Sequence, residues 1–87
     1  MSYEVVILPR AQKQIRSIPS RIAESVEEKL RSLAENPRPA GCKKLRGHEE
    51  AWRIRVGDYR IIYDIDNAQK TVVVMKVGHR SEIYRQF

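Results

Sequence analysis

This sequence is short of the residues that staple, anchor or cross-link a chain. One cysteine, Cys42, stands alone among 87 residues. A lone thiol excludes an internal disulfide and lacks the companions of a structural zinc site. No histidine neighbours it, and "GCKK" matches no nucleophilic thiol motif. No apolar run approaches the roughly 20 residues that a spanning helix needs. The first residues, "MSYEVVILPR", carry neither the basic start nor the cleavage site of a secretory leader. Repeats and low-complexity linkers are missing too. These absences together lead us to expect a soluble cytoplasmic protein with no membrane partner, and one domain over residues 1–87.

Acidic charge is also scarce. Lys and Arg number 17 against 11 Asp and Glu, a formal net charge of +6. Such a surplus favours a polyanionic partner without choosing among nucleic acid, acidic protein and anionic surface. The apolar share of 41% is enough for a packed core, which argues against disorder.

Punctuation divides the chain clearly. Tyr3 to Leu8 is a β-branched run that reads as a strand, broken by Pro9. Ala11, Ile15 and Ile18 then recur at helical spacing. Pro19-Ser20 interrupts, with Ser20 expected to cap a second helix along "RIAESVEEKLRSLAEN". Its apolar stripe is Ile22, Val26, Leu30 and Leu33, and Asn36-Pro37 stops it. After an irregular stretch from Arg38 to Glu50 the period changes to two. Trp52, Ile54 and Val56 alternate with Arg53 and Arg55. Gly57-Asp58 turns the chain into a strand from Tyr59 to Ile65, and Asp66 to Gln69 turns it into another from Thr71 to Val77, ended by Gly78. The order β-α-α-β-β-β predicts an α+β fold, an antiparallel twisted sheet with a two-helix hairpin packed on one face.

Period two projects Arg53 and Arg55 from one strand face, away from Trp52, Ile54 and Val56. Arg60 lies just past the hairpin turn, and Arg80 follows the last strand together with His79 and Tyr84. Alternating charge on a strand is usually just a solvated face. Clustering of one sign argues for more. Between Arg38 and Arg60 stand seven basic residues (Arg38, Lys43, Lys44, Arg46, Arg53, Arg55, Arg60) and three acidic ones (Glu49, Glu50, Asp58). Like charges on adjacent strands repel, so a fold keeps them more readily when an anion neutralises them. Phosphate suits guanidinium groups, which grip its oxygens in pairs. Trp52, Tyr59 and Tyr63 read as core, His48 as ordinary surface.

The segments "KLRGHEEAWRIRVGDYRIIYDI" and "VVVMKVGHRSEIY" closely resemble the RelE/ParE toxin superfamily, specifically its RelE branch, from Tyr3 to Tyr84. The resemblance implies a RelE-like microbial ribonuclease-type fold. It also implies the toxin of a type II toxin–antitoxin system, a ribosome-dependent endoribonuclease that cuts mRNA in the A site and inhibits translation. RelE-like toxins need no metal or cofactor: the substrate's 2′-hydroxyl attacks the adjacent phosphate. By motif match the catalytic positions are Arg53, Arg55, Arg60, Arg80 and Tyr84. Lys43, Lys44 and Arg46 are expected to bind RNA phosphates, and a RelB-like antitoxin is the expected protein partner.

Two positions depart from the family. Arg53 and Arg55 stand where its best-known pattern has lysines. A lysine can lose its proton and act as a base; arginine effectively cannot. Tyr84 and His79 remain as proton-transfer candidates, although alternation points His79 away from Arg80 unless Gly78 breaks the pattern. Two other readings stay open: a ParE-like inhibitor of DNA gyrase, which shares the fold, and a non-catalytic RNA- or protein-binding member.

Overall fold

The computed structural model describes residues 2–45 and 51–83. Its elements run β1 (Glu4–Ile7), α1 (Pro9–Arg16), α2 (Ser20–Glu35), β2 (Lys43–Lys44), β3 (Ala51–Val56), β4 (Tyr59–Asp66) and β5 (Thr71–His79). They form one five-stranded sheet in the order β1-β5-β4-β3-β2, with α1 and α2 laid against one face. No helix among the described residues is long and apolar enough to cross a membrane.

Pro9 occupies the first turn of α1, where its missing N–H costs nothing. Ala11 and Ile15, four residues apart, are buried with Ile18, just beyond the helix. α2 begins differently from expectation. Pro19, not Ser20, is its N-cap, and no side chain caps the end. The Pro19 carbonyl instead accepts from the N–H groups of Ile22 and Ala23, both at 2.9 Å. Val26, Leu30 and Leu33 form its buried stripe. The stop at Asn36 stands as read, and the Asn36 side chain accepts from Arg38 N–H at 3.2 Å.

β3, β4 and β5 form the antiparallel meander, but β1 pairs with β5 in parallel, so the sheet is mixed. A meander reverses direction at each turn, which leaves the outer edge of β5 open to whatever the helical pair delivers. That pair crosses the sheet face, starting from β1 on one edge and returning the chain to β2 on the other. A strand's apolar pattern says which face is buried; it carries no mark of direction.

Ile54, Ile61, Tyr63, Ile65, Val72, Val74 and Val77 face the helices as one core. Val74 and Val77 are three apart, which strict alternation forbids. A register shift resolves this: Ile62 pairs with Lys76 and Tyr63 with Val74, so Met75 has no counterpart. The bulge turns Lys76 to the face away from the helices. Gly78 does not end β5, which continues through His79 opposite Tyr59.

Among the described residues Tyr63 is the largest fully buried side chain, and its hydroxyl donates to the Pro37 carbonyl at 2.8 Å, tying the end of α2 to the sheet. Burial holds this phenol protonated far above the usual tyrosine range; Cys42 acts in the same direction and Arg38 opposes both. Because the folded-state value is raised, the contribution to stability is intact below about pH 10 and lost as pH rises beyond it, where an unfolded tyrosine ionises. Tyr63→Phe is expected to cost about 1–2 kcal/mol by urea denaturation at pH 7. The gap from wild type should narrow as pH passes ~10.

Candidate anion-binding site on the sheet

The β3–β4 hairpin builds the core of the site. Gly57, at φ 59°, makes the turn that L side chains resist, and the strands pair from Val56 against Tyr59 onward. Register then sets Arg55 directly opposite Arg60, and on the other side of β3 sets Lys43 opposite Arg53. Residues directly across a ladder share a face. Arg53, Arg55, Arg60 and Lys43 are therefore neighbours on the face away from the helical core.

β2 pairs with Trp52 and Arg53, and among the described residues no strand pairs with Ile54 to Val56 on that edge of β3. There a cavity of about 450 Å³ opens, lined by Lys29, Ala40, Gly41, Lys43, Arg53, Ile54, Arg55 and Arg60. Five of its eight lining residues are cationic, and none carries a carboxylate, thiol or imidazole. The volume lies within the ~300–1,000 Å³ usual for small-ligand sites. Among the described residues no group of three His, Cys, Asp or Glu side chains could hold a metal ion. This donor set suits an anion.

Arg60 is held in place before any ligand arrives. Its Nη1 donates to the carbonyls of Gly57 and Tyr59, both at 3.1 Å. Arg80 belongs to the same end of the sheet: its N–H donates to the Asp58 carbonyl at 2.8 Å, and its Nε lies 3.7 Å from the Asp58 carboxylate. That ion pair is solvent-exposed and holds Arg80 weakly. Arg80 does not line the cavity, but it flanks the hairpin turn that Arg60 grips.

His79 is placed elsewhere. Its ring meets Tyr59 edge-on, with centroids 5.4 Å apart, on the helix side of the sheet. Its Nδ1 accepts from Ser81 N–H at 3.1 Å and lies 2.8 Å from the Ser81 hydroxyl, which leaves Nε2 as the outward nitrogen. Gly78 stays in register, so alternation does separate His79 from the arginines. Lys44 faces the other way from Lys43, with its ammonium 5.9 Å from the Trp52 ring centroid and Arg38 at 5.3 Å. Trp52 and Tyr59 are half-buried against the core and Tyr63 lies within it. Tyr84, Arg46 and His48 lie outside the described residues.

Lys29 was not anticipated. It sits on α2 beside Leu30 and three residues after Val26, at the margin of the buried stripe. Its only signal was being a basic residue at that margin. Which strand edge the margin overlooks depends on the packing of the helix.

A two-helix layer on a mixed five-stranded sheet, with a cationic cavity beside its hairpin, defines a small basic α+β domain. Comparison with known proteins makes this specific. A family model described as the ParE toxin of type II toxin–antitoxin systems, parDE, matches residues 5–84. Toxin RelG of Mycobacterium tuberculosis is 34% identical over 87 residues, which cover 99% of this chain and 100% of the relative. The mRNA interferase toxin RelE of Escherichia coli K12 is 32% identical over 90 residues, covering 99% and 94%. The toxin–antitoxin complex RelBE2 from M. tuberculosis superposes with a TM-score of 0.81 at 32% identity, over 92% of this chain and 100% of that one. The chain belongs to the RelE/ParE family of type II toxin–antitoxin toxins.

The Arg55–Arg60 opposition carries a stability cost that can be measured. Arg55→Gln is expected to raise the unfolding free energy by a few tenths of a kcal/mol at low ionic strength. The gain should fade in ~1 M salt, where the screening length is about 3 Å. Urea titrations at both salt concentrations test this.

Proposed function

We propose that this chain is an mRNA interferase, a metal-independent endoribonuclease that cuts mRNA in the ribosomal A site and so arrests translation in the cytoplasm. The observation that carries this is the convergence of Arg53, Arg55 and Arg60, with Lys29 and Lys43, on one cavity wide enough for an RNA phosphate. Similarity to a relative named as an mRNA interferase supports the same reading.

In this scheme the 2′-oxygen attacks the adjacent phosphorus and the bond to the 5′-oxygen breaks, leaving a cyclic phosphate and a 5′-hydroxyl. The 2′-hydroxyl proton passes to a base, and the leaving oxygen takes one from an acid. Negative charge gathers on the phosphorane between these events. Arg60, fixed by two backbone carbonyls, and Arg55 opposite it meet that charge; Arg53 and Arg80 complete the cationic surround. Guanidinium groups bind and polarise here, and we assign proton transfer to Tyr84 or His79. The outward Nε2 of His79 lies on the other side of the sheet, so its use requires RNA to pass around the Gly57–Asp58 turn. Lys43, Lys44 and Arg46 add contacts with phosphates along the RNA, a term that salt weakens.

Control comes from a RelB-like antitoxin. Solved relatives include complexes of this kind, from M. tuberculosis and Pyrococcus horikoshii. The family model's own description, a ParE toxin, favours one other reading, inhibition of DNA gyrase without nuclease activity.

A translating-ribosome assay read by primer extension, run beside a gyrase supercoiling assay, decides between them. A-site cuts with unaffected gyrase are expected; inhibited gyrase without cuts overturns the proposal. Arg60→Ala should lower single-turnover cleavage by about 10²–10³-fold. In His79→Gln, an unchanged rate–pH profile removes that imidazole from proton transfer, while loss of one limb assigns it.

A further inference from the structure

Three successive carbonyls of the β3–β4 turn each accept from an arginine. Those of Gly57 and Tyr59 take Arg60 Nη1, and that of Asp58 takes Arg80 N–H. Arg80 thereby extends the β4–β5 ladder one step beyond the Tyr59–His79 pair, while Arg60 stands opposite Gly78. Arg80 is then the diagonal neighbour of Arg60, at the spacing of about 7–8 Å that long side chains can bridge. The same turn brings a carboxylate into this cationic corner: Asp58 Oδ1 lies 3.7 Å from Arg80 Nε. An anion there opposes RNA.

The fold does not need that carboxylate to hold Arg80. The Arg80 N–H is bonded to the Asp58 carbonyl at 2.8 Å, and Glu82 and Ile83 N–H groups close the next turn on the His79 carbonyl, both at 2.9 Å. Lys76 donates from Nζ to the Ile83 carbonyl at 3.0 Å. Ile83 Cδ1 lies 3.1 Å from where a Cβ on Gly78 would be, so this side chain packs on bare strand backbone. The ion pair adds little to these ties. A charge-assisted N–H bond to a carboxylate spans about 2.7–2.9 Å, whereas this contact is 3.7 Å long between side chains 65% and 70% exposed. It is made at Nε and leaves the paired Nη groups of Arg80 to a second anion.

We propose that the Asp58 carboxylate is the resting counter-ion of Arg80, replaced by an RNA phosphate on binding, so that Asp58 sets how tightly the site holds RNA. This rests on the nuclease reading above. Weakness is what the role requires, because so exposed a pair exchanges at small cost for a phosphate that Arg60 and Arg80 share. Exchange alters the hold on RNA equally before and during reaction, so it acts on KM and leaves kcat alone. A carboxylate that aimed Arg80 at the transition state would act on kcat instead.

Asp58→Asn in the full chain removes the charge and keeps a residue suited to the turn; thermal melting checks its fold. With ribosome-bound mRNA, KM should fall about two- to fivefold at unchanged kcat, and Asp58→Glu should keep the wild-type KM. A fall in kcat at constant KM overturns the exchange, as does no change in either constant. In an Arg80→Ala background Asp58→Asn should have no further effect; an undiminished effect there means that Asp58 acts through its general field, and also overturns it. Binding without cleavage is read from the Arg80 Nε–Hε NMR signal, with an uncleavable 2′-O-methyl RNA oligonucleotide as the probe. This signal should differ between free wild type and free Asp58→Asn, and saturating RNA should bring the two together. A difference that survives saturation sinks the proposal. Should Asp58→Asn fail to fold, the wild type alone decides: RNA must move its Arg80 signal, and a signal that stays put rules the exchange out. If the wild type cuts nothing on ribosomes, the nuclease reading fails, while the NMR titration still judges the exchange.

Discussion

Arg55 and Arg60 stand directly across from one another on neighbouring strands, and on the adjoining ladder Lys43 stands across from Arg53. Opposed like charges cost stability, and the sheet holds them because its other face is committed to the core. Ile54 and Ile61, the pair next to Arg55 and Arg60, are 3% and 0% exposed. Moving either strand by one residue would relieve the repulsion only by bringing arginines into the core and turning isoleucines outward. Hydrophobic register thus enforces electrostatic crowding. A polyanion bound there would relieve the mutual repulsion of the gathered cations in addition to its own attraction to them.

Much of this was legible in the residues. Period two on β3 put Arg53 and Arg55 on one face, and Pro9, Pro19 and Asn36-Pro37 bounded both helices. What stayed hidden depended on partners distant in sequence. β2 is two residues long, too short for any periodicity, yet where it stops determines where the cavity opens. The parallel placement of β1 follows from the path of the helices. The bulge at Met75 leaves no compositional trace, and it alone brings Val74 and Val77 to one face. Lys29 looked like one more charge on a polar helix, and its place in the cavity lining appears only once α2 is packed beside β3.

Arginine at positions 53 and 55 divides the chemical work more sharply than lysine would. A guanidinium binds and polarises rather than exchanging protons, so these two side chains contribute a fixed positive field. A fixed field stabilises charge as it develops but cannot accept a proton. Register-locked strands carry the cations, and the last described turn is held by Lys76 and packs on Gly78.

The bulge at Met75 has a second consequence. Without it, strict alternation from Val74 would direct Lys76 into the helix-facing core, where an ammonium would need a partner that the apolar cluster around Leu30 and Leu33 does not supply. With it, one irregularity buries Val77 against α1 and frees Lys76 to reach Ile83. Gln14 of α1 then satisfies the Val77 N–H at 2.8 Å, above the level at which β1 stops pairing. The same few residues that let β5 run past β1 therefore also fasten the turn that reaches Ile83, so packing in this stretch and placement of that turn depend on a single shift of register.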